Sequence, residues 1–358
     1  MPQRSGNLKG RGTPLAPPNR FERTTLEDDY EQLALGEGPD ERRVETLFLP
    51  DRSRSILTSN DSPDVPFRWS INPYRGCEHG CAYCYARPTH ETLGMNAGLD
   101  FETRILVKHD APELLRAELA KPSWRGELIA ISGVTDCYQP VERRYRLTRG
   151  LLEVLLEARQ VCGIVTKNAL VLRDLDLLAP MAELGVIHVN VSLTTLDAEL
   201  ARRMEPRTSA PAARLRAIEA LSQAGVPVRV LIAPVIPGLN DQEIPAVLQA
   251  AKEAGAGSAG YVLLRLPHAV KAVFQDWLTR NYPLAADRVL GLIRSARSGR
   301  LSDPSFGTRM RGQGPYAEQI RRTFEVFAKK HQLDRPLPKL NESQFRPPRP
   351  ASGQLRLF

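Results

Sequence analysis

Six short apolar runs recur through the middle of this chain, each followed by a stretch of helical periodicity, and few folds accommodate that alternation. The runs are Trp69–Asn72, Leu128–Ser132, Gly163–Thr166, Ile187–Leu193, Val228–Ile232 and Tyr261–Leu264. Most are continuously apolar rather than alternating, as expected of parallel strands covered on both faces. The intervening segments carry helix signals. Asp110-Ala-Pro-Glu113 has the form of a capping box with proline in the first turn. Ser209 precedes Leu215, Ile218 and Leu221 on one face, ended by Gly225, and Asp241 precedes Ile244, Val247, Leu248 and Ala251, ended by Gly255. Six strand–helix units predict a parallel α/β fold, an open or partial barrel. In such folds functional groups sit on loops at the carboxyl ends of the strands.

The flanks differ. The first 45 residues or so run from a basic start (Arg4, Lys9, Arg11) into an acidic stretch at Glu27, Asp28, Asp29 and Glu31, with no apolar period. Lack of periodicity predicts a largely disordered segment over 1–64. The barrel is expected over 65–285 and a helical extension over 286–335, in which Pro315–Lys330 aligns Ile320, Phe324 and Phe327. A Pro- and Arg-rich tail follows over 336–358. The first residues lack a continuous apolar core of the kind a secretory signal needs, and no run approaches the ~18 apolar residues of a membrane span. The expectation is a cytoplasmic protein, where thiols stay reduced. Its net charge of +8 fits an anionic partner such as nucleic acid, as it fits many basic soluble proteins.

Of five cysteines, three fall within Asn72-Pro-Tyr-Arg-Gly-Cys77-Glu-His-Gly-Cys81-Ala-Tyr-Cys84-Tyr85, directly after the first run. Three thiolates on one short loop suit a cubane iron–sulfur cluster, each holding one iron. No fourth cysteine lies nearby, so one metal position stays open to a ligand, the logic that separates catalytic from structural centres. Gly76 and Gly80 let the loop turn tightly. The alternative is zinc held by the three cysteines with His79 or a distant thiol, although zinc ligands usually come as two separated pairs. A hydrogen bond within the loop is the simpler role for His79.

Cys-x3-Cys-x2-Cys with an aromatic residue before the third cysteine resembles the signature of the radical S-adenosylmethionine (SAM) superfamily. Val134-Thr-Asp136, Thr166-Lys167, Val191-Ser-Leu-Thr-Thr195, Glu205-Pro-Arg207 and Pro234-Val-Ile-Pro-Gly-Leu-Asn240-Asp241 follow in order. Together they resemble the spore photoproduct lyase-related, DNA repair photolyase-like branch over roughly residues 65–285. The resemblance implies a partial (βα)6 TIM-type barrel and a [4Fe–4S] cluster on Cys77, Cys81 and Cys84. In that family the open iron chelates SAM, which an electron cleaves to methionine and a 5′-deoxyadenosyl radical. It further implies a low-potential donor of flavodoxin or ferredoxin type.

By the same resemblance Tyr83 lies against the adenine and Tyr85 near the radical. Cys137 is the candidate hydrogen-atom donor, although it follows Asp136 whereas the lyase's cysteine precedes the matching segment. SAM also presents an ammonium, a carboxylate and a ribose diol. Thr135 or Asp136 can accept from the ammonium, Lys167 and Arg207 can meet the carboxylate, and Ser192 and Thr194 can bond the ribose. Glu142 reads as structural, and Cys162 as a buried thiol. The first expected substrate is a nucleic-acid base or lesion. A protein or small metabolite is the second, and a non-catalytic cluster-bearing DNA-binding protein is the rival from another class.

Overall fold

A computed structural model describes residues 8–21 and 44–349. The strands are β1 (Leu47–Pro50), β2 (Leu57–Ser59), β3 (Trp69–Ile71), β4 (Tyr74–Arg75), β5 (Arg104–Val107), β6 (Ile129–Ile131), β7 (Cys162–Thr166), β8 (Ile187–Ser192), β9 (Val228–Val235) and β10 (Ser258–Leu263). A seven-stranded sheet has the order β10-β9-β8-β7-β6-β3-β2, and a small side sheet the order β1-β5-β4. Strands β3 and β6–β10 are all parallel, and β2 pairs antiparallel with β3. These six parallel strands are the six runs expected from the sequence. The sheet is that of a partial TIM-type barrel, with β10 and β2 as its edges.

Helices Ala111–Leu119, Leu147–Glu157, Leu175–Glu183, Pro211–Gln223 and Ile244–Glu253 separate the parallel strands and pack on them through one apolar face. Burying a Leu, Ile or Val side chain contributes about 1.5–3 kcal/mol. The shell therefore rests on residues such as Leu151, Leu155, Ile218, Leu221 and Val247, all fully buried. The start signals act differently from their sequence reading. Asp110 makes no side-chain cap. Ser209 Oγ instead accepts from the Ala169 amide at 2.9 Å, leaving Pro211 to open its helix. Asp241 accepts from the Gly238 amide and the Tyr316 hydroxyl. Short polar side chains satisfy whichever amide the tertiary fold brings near, so a cap motif marks a helix start better than its bonds.

Residues 8–21 form an ordered strap, where the sequence predicted disorder. Arg11 donates to the carbonyls of Glu102 (2.9 Å) and Val44 (2.7 Å), and Leu15 O accepts from the Leu99 amide at 2.9 Å. Asn19 Nδ2 donates to Glu91 O at 2.8 Å. Side-chain and backbone hydrogen bonds hold this strap rather than a buried apolar stripe, so hydrophobic periodicity does not register it. At the other end Asn341 and Arg346 donate their amides to Gly185 O and Ala158 O, and Phe345 packs beside Gly126. The tail up to Arg349 thus crosses the side from which β6, β7 and β8 start. Arg4, the acidic stretch at 27–31 and residues 350–358 lie outside the described residues. Among those described, no helix is long and apolar enough to cross a membrane.

Candidate active site

The cysteine loop follows β4 and is held by a buried ion pair. Arg87, fully buried, donates to Cys81 O at 3.1 and 2.9 Å, to Gly98 O at 2.9 Å, and to the Glu102 carboxylate at 2.5 Å. The second Glu102 oxygen takes the Gly12 amide of the strap at 2.9 Å. Cys77 donates its amide to Phe101 O at 2.8 Å and Ala82 to Met204 O at 3.0 Å. Gly80 has φ 66°, and a Cβ there would lie 2.7 Å from Glu102. Only glycine allows that approach.

All three loop thiols are pushed up from their ordinary pKa, chiefly by burial. Cys137 and Cys162 lie elsewhere in the core, leaving three loop thiols without a fourth. The donor set fits the cluster.

Opposite the loop, the ends of β7 and β8 present Lys167 and Ser192. Lys167 Nζ donates to Ser192 Oγ at 3.0 Å and lies 5.9 Å from the Tyr83 ring centre, with no ion-pair partner among the described residues. Ser192 passes its own hydrogen to Ala233 O at 3.1 Å. Tyr83 is buried and bonds Glu205 through its hydroxyl. Tyr85 is 47% exposed, and its hydroxyl donates to Gly133 O at 2.8 Å. Tyr83, Tyr85, Lys167 and Ser192 therefore gather beside the cysteines.

The remaining sequence candidates are committed elsewhere. Asp136 accepts from Thr166 Oγ1 (2.8 Å), the Lys167 amide (2.8 Å) and the Tyr138 amide (2.9 Å), with His79 Nδ1 at 3.4 Å. It fixes the β7 end rather than offering a free lone pair. His79 contacts Asn168 at 3.3 Å, and burial lowers its pKa to about 4, leaving the ring neutral. Its ring partners, Asn168 and Asp136, lie outside the cysteine loop rather than within it as expected. Thr135 gives its hydroxyl to Tyr74 O at 2.7 Å. Thr194 donates to Glu205 at 2.7 Å. Arg207 pairs with Glu78 of the cysteine loop at 3.1 Å, gives its amide to His79 O at 3.3 Å, and lines a cavity of about 340 Å³ with Lys9, Arg11 and Thr46.

Cys137, the expected hydrogen-atom donor, lies in the hydrophobic core. It is fully buried among the shell residues, its amide on Ser132 Oγ and its carbonyl on Thr148 Oγ1. Burial first, then Asp136, raises its thiol pKa. Asp136 accepts the Tyr138 amide, and Thr148 of helix Leu147–Glu157 holds the Cys137 carbonyl at 2.6 Å. Glu142, in contact with Arg173 at 2.7 Å and with Tyr74, is the structural carboxylate expected.

Sequence reasoning passed over Glu205. It is fully buried and joins Tyr83, Thr194 and Arg214. Burial alone would raise its pKa, but Arg214, Lys167 and the two hydroxyls together hold it down to about 2. Arg214 itself meets Ser209 O at 2.8 Å and Ser192 O at 3.0 Å, so one carboxylate ties Tyr83 to the β8 end. The signal available was a Glu followed nine residues later by an Arg on an otherwise apolar helix face.

Three cysteines on one loop facing a lysine at the carboxyl ends of a partial barrel define a class. Residues 71–251 match the radical SAM superfamily model, and the chain belongs to that superfamily of enzymes. Membership implies SAM and a [4Fe–4S] cluster. An uncharacterised protein of Mycobacterium tuberculosis is 41% identical over 232 residues, 64% of this chain and 68% of its own. One of Methanocaldococcus jannaschii is 32% identical over 176 residues, 49% of this chain and 63% of its own. Among solved structures, spore photoproduct lyase complexed with dinucleoside spore photoproduct aligns with TM-score 0.56 at 16% identity, over 79% of each chain. At that identity the likeness is one of fold.

Proposed function

We propose that this enzyme cleaves SAM reductively and directs the resulting radical at a nucleic-acid base or lesion. The observation that carries the SAM half is Lys167, a cation that forms no direct ion pair among the described residues, held by Ser192 and Tyr83 beside the cysteine loop. Cys77, Cys81 and Cys84 hold the cluster, which when bound supplies the electron for cleavage. Lys167 meets the SAM carboxylate, and Ser192 bonds the ribose. Tyr83, fixed by Glu205, lies under the adenine. Asp136 positions Lys167 through its backbone amide, and Tyr85 stands where substrate enters. The substrate half is supported by the fold shared with an enzyme whose structure holds a dinucleoside lesion. A base within a duplex is out of reach and must be extruded, at roughly a few kcal/mol. Lys9, Arg11 and Arg207 outside the cysteine loop favour an acidic flavodoxin or ferredoxin as electron donor.

The test uses anaerobically reconstituted, reduced enzyme with SAM and compares ultraviolet-irradiated DNA, undamaged DNA and a peptide pool. 5′-Deoxyadenosine formation coupled to a changed base, read by mass spectrometry, is expected with nucleic acid. Stimulation by the peptide pool alone overturns the substrate. Lys167→Ala should weaken SAM binding about tenfold with iron content unchanged, the loss of one charge-assisted contact. Unaltered SAM affinity removes Lys167 from the site.

A further inference from the structure

The two edges of the barrel sheet are joined by arginines, and one of them has no acceptor suited to it. Along the β10 edge, the Leu263 amide donates to Met310 O at 2.9 Å, and buried Arg297 holds Leu264 O (2.9 Å) and Arg309 O (3.1 Å). From the opposite edge, the loop between β2 and β3 contributes Asp64, which accepts from the Gly307 amide at 2.7 Å and from Arg309. Arg265, just beyond β10, stands 5.5 Å over the Tyr85 ring, next to the last cluster cysteine. Its polar contact in the structure is Met310 Sδ at 3.6 Å, a weak acceptor for a group with five donors. Arg311 lies 4.3 Å over the Tyr261 ring. Of the carboxylates here, Asp64 bonds Arg309 and acts on Arg265 only at longer range, and Asp303 accepts from the Thr308 hydroxyl at 2.5 Å.

We infer that Arg265, beside Arg309, is a subsite for a phosphate of the substrate backbone. A half-buried guanidinium beside like charge is unfavourable until an oxyanion reaches it, and a phosphate accepts its planar fork in the bidentate mode. Burial first, and Arg309 second, pull the Arg265 pKa below its usual range, against smaller opposing pulls from Tyr85 and Asp64. Two aromatic faces adjoin the guanidinium groups, Tyr85 at 47% and Phe306 at 57% exposure, the latter under Arg309 at 4.4 Å. Basic groups interleaved with open rings suit unpaired nucleotides, whose bases stack while the backbone is neutralised. The subsite rests on the nucleic-acid reading above, and it adds the element that grips the strand beside the cysteine loop.

Binding of a short labelled single strand to reconstituted protein tests it, with a second oligomer of the same sequence carrying neutral methylphosphonate linkages. Arg265→Gln should weaken the phosphodiester strand about tenfold and leave the neutral one unchanged. The salt dependence of log affinity should become shallower by about 0.7 for the lost contact. Arg265→Lys should recover part of the affinity. Iron content and melting temperature of Arg265→Gln should match the parent. Equal loss for both oligomers, or no loss for either, overturns the subsite. If nucleic acid still drives turnover in that case, the reading under Proposed function survives. Failure of the parent enzyme to bind either oligomer overturns both.

Discussion

Two sets of arginines in this molecule are built on opposite principles. Arg87 and Arg214 are fully buried, and each is surrounded by carbonyl oxygens and one carboxylate, Glu102 or Glu205. Arg265 and Arg311 are more open, and what they touch is a thioether and aromatic rings. The first pair shapes the site: one fixes the cysteine loop, the other fixes Tyr83 and the end of β8. The second pair retains hydrogen-bonding capacity facing outward. A buried guanidinium without acceptors would destabilise the fold, which is why Arg87 and Arg214 are ringed by oxygens, whereas Arg265 keeps donors free for a ligand.

The largest effect expected from this contrast is at Glu205. Glu205→Gln leaves the buried Arg214 charge uncompensated, a loss of about 3–5 kcal/mol. Chemical denaturation should register it, with Tyr83 fluorescence changing in the folded state. The pH dependence sharpens the point. The Glu205 pKa falls from 4.5 unfolded to about 2 folded, so its contribution is complete above pH 4.5 and is lost as pH falls toward 2. The parent protein should weaken across that window more steeply than Glu205→Gln. Equal slopes would separate Glu205 from Arg214 energetically.

A smaller effect is expected at the strap. Gly12 sits so close to the cysteine loop that a Cβ would fall 1.7 Å from Gly80 O. Gly12→Ala must therefore push the strap off Glu102, at roughly 1–3 kcal/mol as for other overpacked sites. Its iron should be lost to a chelator faster than the parent's, while Arg265→Gln should keep the parent rate. Identical rates in Gly12→Ala and parent would mean the strap does not guard the loop.

The same contrast bears on what could be read from the sequence. The six strands were legible because β-branched runs bounded by glycine, proline and polar residues have few other fates in a covered sheet. Lys167 and Ser192 were legible because residues at the carboxyl end of a parallel strand face the site. Glu205 was not. Its partner Tyr83 lies 122 residues away, and its neighbour Arg207 offered the more obvious cation. The strap was missed because glycine and proline without apolar period read as disorder, although hydrogen bonds alone can hold such a chain in place. Arg265 carries no motif, and its lack of a carboxylate is visible only once Asp64 and Arg309 are seen to pair.

The smallest effect is expected at Cys137, and it tests the division from the scaffold side. The sequence put this thiol at a strand end, where a hydrogen-atom donor would stand, yet its neighbours are Ser132, Thr148 and the shell residues of the core. A packed thiol acts as a small apolar group. Its removal should therefore cost about what deletion of one buried methyl costs, 0.5–1.5 kcal/mol. Cys137→Ala should lower the melting temperature slightly, keep the iron content of the parent, and form 5′-deoxyadenosine from SAM at the parent rate with the same product. Cys162→Ala, fully buried at the start of β7, should behave alike. Cys77→Ala, by contrast, should lose the cluster outright. A changed product in Cys137→Ala alone would mean that the shell opens during turnover and delivers the thiol to the substrate, placing Cys137 with the outward-facing groups.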